Sequence, residues 1–359
     1  MARLQSSLFL FAALLAGPVF AQPAAVAPST ALPAADQFFT DPQLAETRAI
    51  VVLLDGKQVY ERYAPGYGPG NRFISWSMAK SLTSTIVGDL VADSRLDLDS
   101  PVPVPEWRKL PNDPRAAITL RQMLHMSSGL QHIEAEPVES ADTNRALFAD
   151  KSADIVAHAV SAKLQSPPGT KFQYSTLTTH ILDDVAVRTL APAARTAQQR
   201  RAAMRQFIID RISGPAGMSS LLCEYDPAGT LLGGSMCYAT ARDWANFGQL
   251  YLGNGVVAGR QVVSADWVKF VRTPAATNPG YGGQFWLNRL HPAGNDPALF
   301  PEQGPADAYA AIGHLGQYVI IVPSKHLVVV RLGKTQDDRL GQVRPALGRL
   351  VNSFPTVTP

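Results

Sequence analysis

Ser77 and Lys80 stand three residues apart within the stretch Ser75–Ser81, a spacing that puts both side chains on one face of a helix. A serine hydroxyl is a weak nucleophile until a neighbouring base takes its proton, and an amine one turn away supplies that base. At a helix start the first N–H groups are unpaired and the dipole is positive. A serine there can attack a carbonyl while its own N–H steadies the oxyanion. The stretch also fits an N-capped surface helix with an ordinary lysine in its first turn. It is the only Ser-x-x-Lys in the chain, so partners elsewhere must decide between the two. Two candidates exist: Tyr174, in the loop Pro168–Thr176 just before a helical pattern, and Gly313-His314-Leu315-Gly316-Gln317 at the head of a strand.

The elements that would position these residues follow from periodicity. Ile50–Leu54 and Lys57–Tyr63 flank Asp55-Gly56 and read as a hairpin. Met78, Leu82, Ile86 and Leu90 recur at helical spacing, which predicts a helix buried along one stripe. Thr119 and Gln122 form a capping box for a short helix that Gly129 closes. Helices are predicted over Asn144–Lys163, Thr176–Leu190 and Ala197–Ile212, and another runs from a Thr240 cap to about Leu252. Three β-rich runs follow, Ala308–Ile312, Tyr318–Val322 and Leu327–Leu332, with a closing helix over Leu340–Ser353. Strands at both ends and helices between them predict an α+β fold. One antiparallel sheet would be built from about 45–75 and 280–355, flanked by helices, with a mostly helical insertion over about 95–235. The Ser77 helix would enter the cleft between sheet and insertion.

The chain has 359 residues, 46% hydrophobic and 17% charged, which is ample for a globular core. A net charge of +3 without a Lys/Arg stripe gives no case for nucleic acid. Residues 1–21 read as a secretory signal: Arg3, the apolar Leu8–Leu15, Gly17-Pro18, then small residues to Ala21. The apolar run falls short of the ~20 residues that span a bilayer, so no stable membrane insertion is expected. The mature chain is expected to start near Gln22 in a periplasmic or extracellular space. Residues 22–35, rich in Pro and Ala, are expected to be a disordered lead-in to a domain over 36–359. In an oxidising compartment Cys223 and Cys237 form a candidate disulfide, two buried thiols being the alternative. No His or Cys has metal-ligand spacing, and His132-x-Glu134-x-Glu136 reads as a polar loop, so no metal is assigned.

From about Ile50 to its end the chain resembles the serine β-lactamase/penicillin-binding-protein superfamily. The likeness is to the class C β-lactamase-related branch that includes esterases, D-amino-acid peptidases and 6-aminohexanoate-dimer hydrolases. The resemblance rests on Ser77-x-x-Lys80, Tyr174-Ser175-Thr176 and His314-Leu315-Gly316 in that order. Leu124–Gly129, Pro168-Gly169-Thr170 and Tyr238–Trp244 add family-like stretches. It implies the β-lactamase-like fold and an acyl-enzyme mechanism needing no cofactor. Ser77 would be the nucleophile, Lys80 and Tyr174 would share proton transfer, and the N–H groups of Ser77 and Gln317 would form the oxyanion hole. A Lys80 ammonium is expected to lower the Tyr174 pKa. Thr176 stands where lactamases of this branch have asparagine, and His314 begins the motif where they have Lys-Thr-Gly. Both departures point away from β-lactams, towards a small-molecule amide or ester. Thr176, His314, Gly316 and Trp286 are the expected substrate contacts, although Trp286 and Tyr281 are also compatible with core packing. A β-lactamase or D,D-peptidase is the nearest alternative activity, and a non-catalytic binding member of the fold the more distant one. Nothing in the sequence sets an oligomeric state.

Overall fold

The computed structural model describes residues 31–357 apart from 45, 136, 138 and 291–297. Helix α1 (Ala31–Thr40) precedes the hairpin β1 (Thr47–Leu54) and β2 (Lys57–Tyr63), the short β3 (Phe73–Ile74) and α2 (Ala79–Ala92). Five helices follow: α3 (Leu120–Leu124), α4 (Asp142–Phe148), α5 (Ile155–Val160), α6 (Thr176–Leu190) and α7 (Ala197–Phe207). Next come β4 (Leu222–Cys223), β5 (Cys237–Ala239), α8 (Ala241–Leu252), β6 (Val256–Val257), β7 (Arg260–Gln261) and α9 (Ala265–Val271). The chain ends with β8 (Trp286–Leu287), β9 (Tyr309–Gly313), β10 (Gln317–Val322), β11 (Leu327–Gly333) and α10 (Leu340–Asn352).

The main sheet has the antiparallel order β2-β1-β11-β10-β9-β8, so the first hairpin pairs with the last strands of the chain. Asp55 and Gly56 both take the left-handed backbone that a tight hairpin turn needs. β1, β10 and β11 are nearly continuous runs of branched apolar residues because both faces of the sheet are covered. Val51, Val319 and Val330 face the cluster shared with α8, while Val52, Ile320 and Val329 face the one shared with α1 and α10. Helix α8 lies so close at Gly248 that a Cβ there would stand 2.5 Å from Val328.

Several expectations need correction. The signal segment 1–21 and residues 22–30 lie outside the described residues, but 31–35 are not disordered. They open α1, because Ala35 and Phe38 bury beside α10. Residues 73–74 leave the main sheet and join β5 and β4 in a three-stranded sheet. The helix predicted over Asn144–Lys163 is two helices, since the Asp154 side chain accepts the Ala157 N–H and starts α5 afresh. Ala197–Ile212 turns into a wider π turn after Phe207. α3 ends at His125, and Gly129 is needed instead for its left-handed backbone and its close pass by the Ser166 carbonyl. α2 is buried on all sides from Ala79 to Leu90, not along one stripe. Its hydroxyl residues find partners there: Ser81 and Ser84 donate to carbonyls at Gln284 and Gly283, and Thr85 bonds Tyr251.

Candidate active site

Between β3 and α2 the chain turns sharply. Trp76 has a φ of 44°, a costly conformation for a bulky residue that only firm surroundings maintain. Ser75 supplies part of that hold: its N–H donates to Cys237 O (2.7 Å) and its hydroxyl oxygen accepts the Cys237 N–H (3.2 Å). Cys237 is in turn bonded to Cys223, with the sulfurs 1.99 Å apart. On the other side β9 presses in, and any Cβ at Gly313 would collide with the Ser75 carbonyl. The turn is therefore clamped between two strands, and Ser77 sits in its single 3-10 turn, Trp76–Met78, which runs directly into α2.

Lys80 lies beneath Ser77, fully buried. Its Nζ is 3.0 Å from Ser77 Oγ, 2.8 Å from Thr176 Oγ1 and 2.8 Å from the Gly234 carbonyl. Thr176 donates its single proton to Glu134 Oε1 (2.5 Å), so towards Lys80 it acts as an acceptor. Gly234 can only accept. Two amine N–H bonds are thus committed, and the third position, aimed at Ser77, holds either a proton or the lone pair that takes one. Burial lowers the Lys80 pKa to about 8, against the opposing pull of Glu134 and Asp183. A sizeable fraction of the amine form therefore exists near neutral pH. The Nζ also stands 4.8 Å from the centre of the Tyr174 ring, whose face favours the ammonium once it forms.

Tyr174 differs from expectation. Burial and the Glu134 charge push its pKa up, only partly offset by its interaction with Ser77. Lys80 does not make it a tyrosinate: the lysine faces the ring and does not offset the burial that raises the phenol. The raised Tyr174 pKa favours its protonated form, and the lowered Lys80 pKa favours the amine more than in water. Thr176 lines the cleft as expected, but its hydroxyl is committed to Lys80 and Glu134 and has no proton for a substrate carbonyl.

Glu134 is the residue that the polar-loop reading passed over. It accepts the Thr176 N–H and hydroxyl and the Thr143 hydroxyl. His132 and Gln173 bring it there: Gln173 Nε2 donates to the His132 carbonyl, and the His132 ring bonds Ser175, the cap of α6. Below lies Asp183, fully buried with its pKa raised by desolvation, accepting from Thr83 and the Gly233 N–H. Gly233 and Gly234 have no room for side chains against Thr83, Asp183, Thr176 and His180. The glycine pair was the available sign in the sequence, and only the tertiary contact gives it meaning.

A cleft of about 700 Å³ opens over Ser77, bordered by Tyr174, Trp286, Glu134 and His314. Trp286 is a wall residue, stacked on Tyr174 at 5.5 Å, whereas Tyr281 is buried behind both. His314 is half exposed, edge-on to Trp76, with Nδ1 3.6 Å from Asp337 Oδ1. Gly316 is not a cleft residue: its α-carbon backs onto the Arg331 guanidinium, and it serves the turn between β9 and β10. The Gln317 side chain is turned inward, donating to carbonyls at His314, Leu315 and Gly333, which leaves its backbone as the only part for an oxyanion role. Another cavity, about 500 Å³ beside Lys269 and Asp307, contains none of the sequence-predicted residues. Among the described residues no group of three or more His, Cys, Asp or Glu side chains could hold a metal, and no helix is long and apolar enough to cross a membrane.

With this geometry in view, comparison with known proteins is specific. The family model "Beta-lactamase" matches residues 39–353. A 6-aminohexanoate-dimer hydrolase of Paenarthrobacter ureafaciens is 27% identical over 308 residues, covering 81% of this chain and 73% of its own. Among solved structures, a candidate 6-aminohexanoate-dimer hydrolase from Bacillus anthracis aligns with a TM-score of 0.68 at 25% identity, covering 87% of this chain and 81% of that one. A family VIII carboxylesterase shares the fold alone, with a TM-score of 0.62 at 15% identity, covering 90% and 97% of the two chains.

Proposed function

The chain belongs to the beta-lactamase family and is a hydrolase, and we propose that it cleaves small linear amides or esters through an acyl-enzyme on Ser77. The observation that carries this reading is the 3.0 Å contact between Ser77 Oγ and a buried Lys80 whose other two contacts are both acceptors. Lys80 takes the Ser77 proton as Oγ attacks the carbonyl, and becomes an ammonium over the Tyr174 ring. The N–H groups of Ser77 and Gln317 receive the oxyanion, where losing one donor typically costs ~10²–10³ in rate. As the tetrahedral intermediate collapses, Tyr174 or Lys80 protonates the leaving amine or alcohol. Water then attacks the ester carbonyl, giving up its proton by the same route, and Ser77 is restored.

Three features support linear amides or esters over β-lactams. His314 replaces a permanently charged lysine, and the Asp337 carboxylate beside it disfavours an anionic substrate group there. The walls Trp76, Leu147, Phe148 and Trp286 offer apolar surface suited to an aliphatic chain. The relatives named for 6-aminohexanoate-dimer hydrolysis make that oligomer a candidate substrate. We also read residues 1–21 as an export signal and the enzyme as periplasmic or secreted. The Cys223–Cys237 bond supports this, since such bonds persist in oxidising compartments. N-terminal sequencing of the fractionated protein tests that part: a chain beginning near Gln22 agrees, and intact Met1 in the cytosol refutes it.

The activity is tested with p-nitrophenyl esters, linear amide dimers and a chromogenic cephalosporin, on wild type and Ser77→Ala. Ester or amide turnover that disappears in Ser77→Ala is expected. Cephalosporin turnover outrunning both would move the assignment to a β-lactamase.

A further inference from the structure

Arg331 lies on β11 with none of its surface exposed, in a strand otherwise made of Val and Leu up to Gly333. Among the described residues no carboxylate pairs with it, and the nearby Glu46 is engaged with Arg48 at 2.7 Å. Its five N–H donors are all used. Nε donates to Thr47 Oγ1 (3.0 Å), one terminal nitrogen to the Gly316 (2.7 Å) and Leu315 (3.5 Å) carbonyls, and the other to Thr335 Oγ1 (2.5 Å) and the Leu44 carbonyl (3.5 Å). The seat is shaped for a guanidinium: a Cβ at Gly333 would stand 2.7 Å from Cζ, and one at Gly316 would collide with a terminal nitrogen. Two of the bonds reach the turn between β9 and β10, where Leu315 and Gly316 both have left-handed backbones. Another holds Thr335, whose N–H donates to the Leu315 carbonyl just before the loop carrying Asp337.

Stability alone is a weak reason for such a group, since replacing a buried, charged side chain by an apolar one of similar volume is often neutral or stabilising. Two of the five bonds, to the Leu315 and Gly316 carbonyls, fix one turn, and that turn ends in the Gln317 N–H and carries His314. The other three tie the guanidinium to Leu44, Thr47 and Thr335. We propose that Arg331 is a positioning residue of the catalytic cleft, whose guanidinium holds the Leu315–Gly316 turn so that the Gln317 N–H and the His314 ring keep their places opposite Ser77. This rests on the Ser77 acyl-enzyme reading. Looseness in the turn weakens an interaction that matters most in the transition state, so kcat falls while KM changes little.

The test compares wild type, Arg331→Met and Thr335→Val for turnover of p-nitrophenyl butyrate, with thermal unfolding of each protein measured in parallel. Arg331→Met leaves buried acceptors unpaired and is expected to unfold at a lower temperature than wild type. Where it is still folded at the assay temperature, it is expected to lose about 10–100-fold in kcat with KM changed less than about threefold. Thr335→Val removes one anchor and should lose about 3–10-fold in kcat, again with KM steady. If folded Arg331→Met keeps kcat within twofold, or its loss lies in KM, the proposal is overturned. If Arg331→Met does not fold, Thr335→Val decides, and an unchanged kcat there overturns it. Absence of wild-type turnover and of Ser77 labelling by a phosphonate overturns the acyl-enzyme reading itself, and this proposal with it.

Discussion

Lys80 and Arg331 are two buried cations, one beneath Ser77 in α2 and one in the sheet behind the turn between β9 and β10, and neither has a carboxylate at ion-pair distance among the described residues. Burial acts on both in the same direction, bringing Lys80 to about 8 and Arg331 to about 10. The consequences differ. An amine at about 8 is able to exchange its proton near neutral pH, and two of its three contacts are filled so that the third faces Ser77. A guanidinium at about 10 stays charged at neutral pH and is saturated by five fixed acceptors, so it can only brace. In the proposed mechanism buried charge is thus used once for proton transfer and once for geometry. What separates the two is whether the group can shed its proton and whether a contact is left for a reacting atom.

Exchanging the two chemistries breaks the comparison most severely. Lys80→Arg and Lys80→Ala should each lose on the order of 10³–10⁴ in kcat/KM, because a permanent cation is no better a base than a methyl group. Steady-state rates check this, and activity within tenfold of wild type in Lys80→Arg would remove the base from the scheme. Arg331→Met, with its smaller loss confined to kcat, is the matching change at the other cation. Thr176→Val removes the acceptor that uses one Lys80 N–H and should slow turnover about tenfold. A milder change moves a pH limb without removing a group. kcat/KM should rise with pH through about 8 as the Lys80 amine form grows. Glu134 raises the Lys80 pKa, so Glu134→Gln should shift that limb to lower pH; a limb that stays put or moves up contradicts the arrangement. Least affected in rate should be Cys223→Ser, which removes the bond behind Ser75. Losing that loop closure is expected to cost ~3 kcal/mol of stability, seen in thermal unfolding, with kcat changed only a few-fold.

The grouping of Ser77, Lys80 and Tyr174 was legible in the sequence because Ser77 and Lys80 share a helix face and Tyr174 lies at a helix entry. These are local patterns that tertiary packing keeps. The sheet was legible for a similar reason: the apolar runs at both ends of the chain can be satisfied only against each other. Residues whose partners are remote in sequence were not legible. Glu134 meets Thr176 across 42 positions, and an acidic residue in a polar loop looks the same whether or not it faces a buried lysine. α2 looked one-sided because its Ser, Thr and Lys positions suggest solvent. They are instead satisfied by Gln284, Gly283 and Asp183 from later segments. The commitment of the Thr176 hydroxyl was hidden on the same ground, since its proton belongs to Glu134. Arg331 was visible as a charge within an apolar strand, yet nothing local shows that its acceptors lie on the turn after β9.

The central claim is that Ser77 is a nucleophile activated by Lys80. Intact-mass analysis after treatment with an activated phosphonate ester, on wild type, Ser77→Ala and Lys80→Ala, tests it most directly. One adduct per wild-type chain, mapped to Ser77, absent from Ser77→Ala and formed far more slowly in Lys80→Ala, is the expected result. An unlabelled wild type, or equal labelling of wild type and Ser77→Ala, would contradict it.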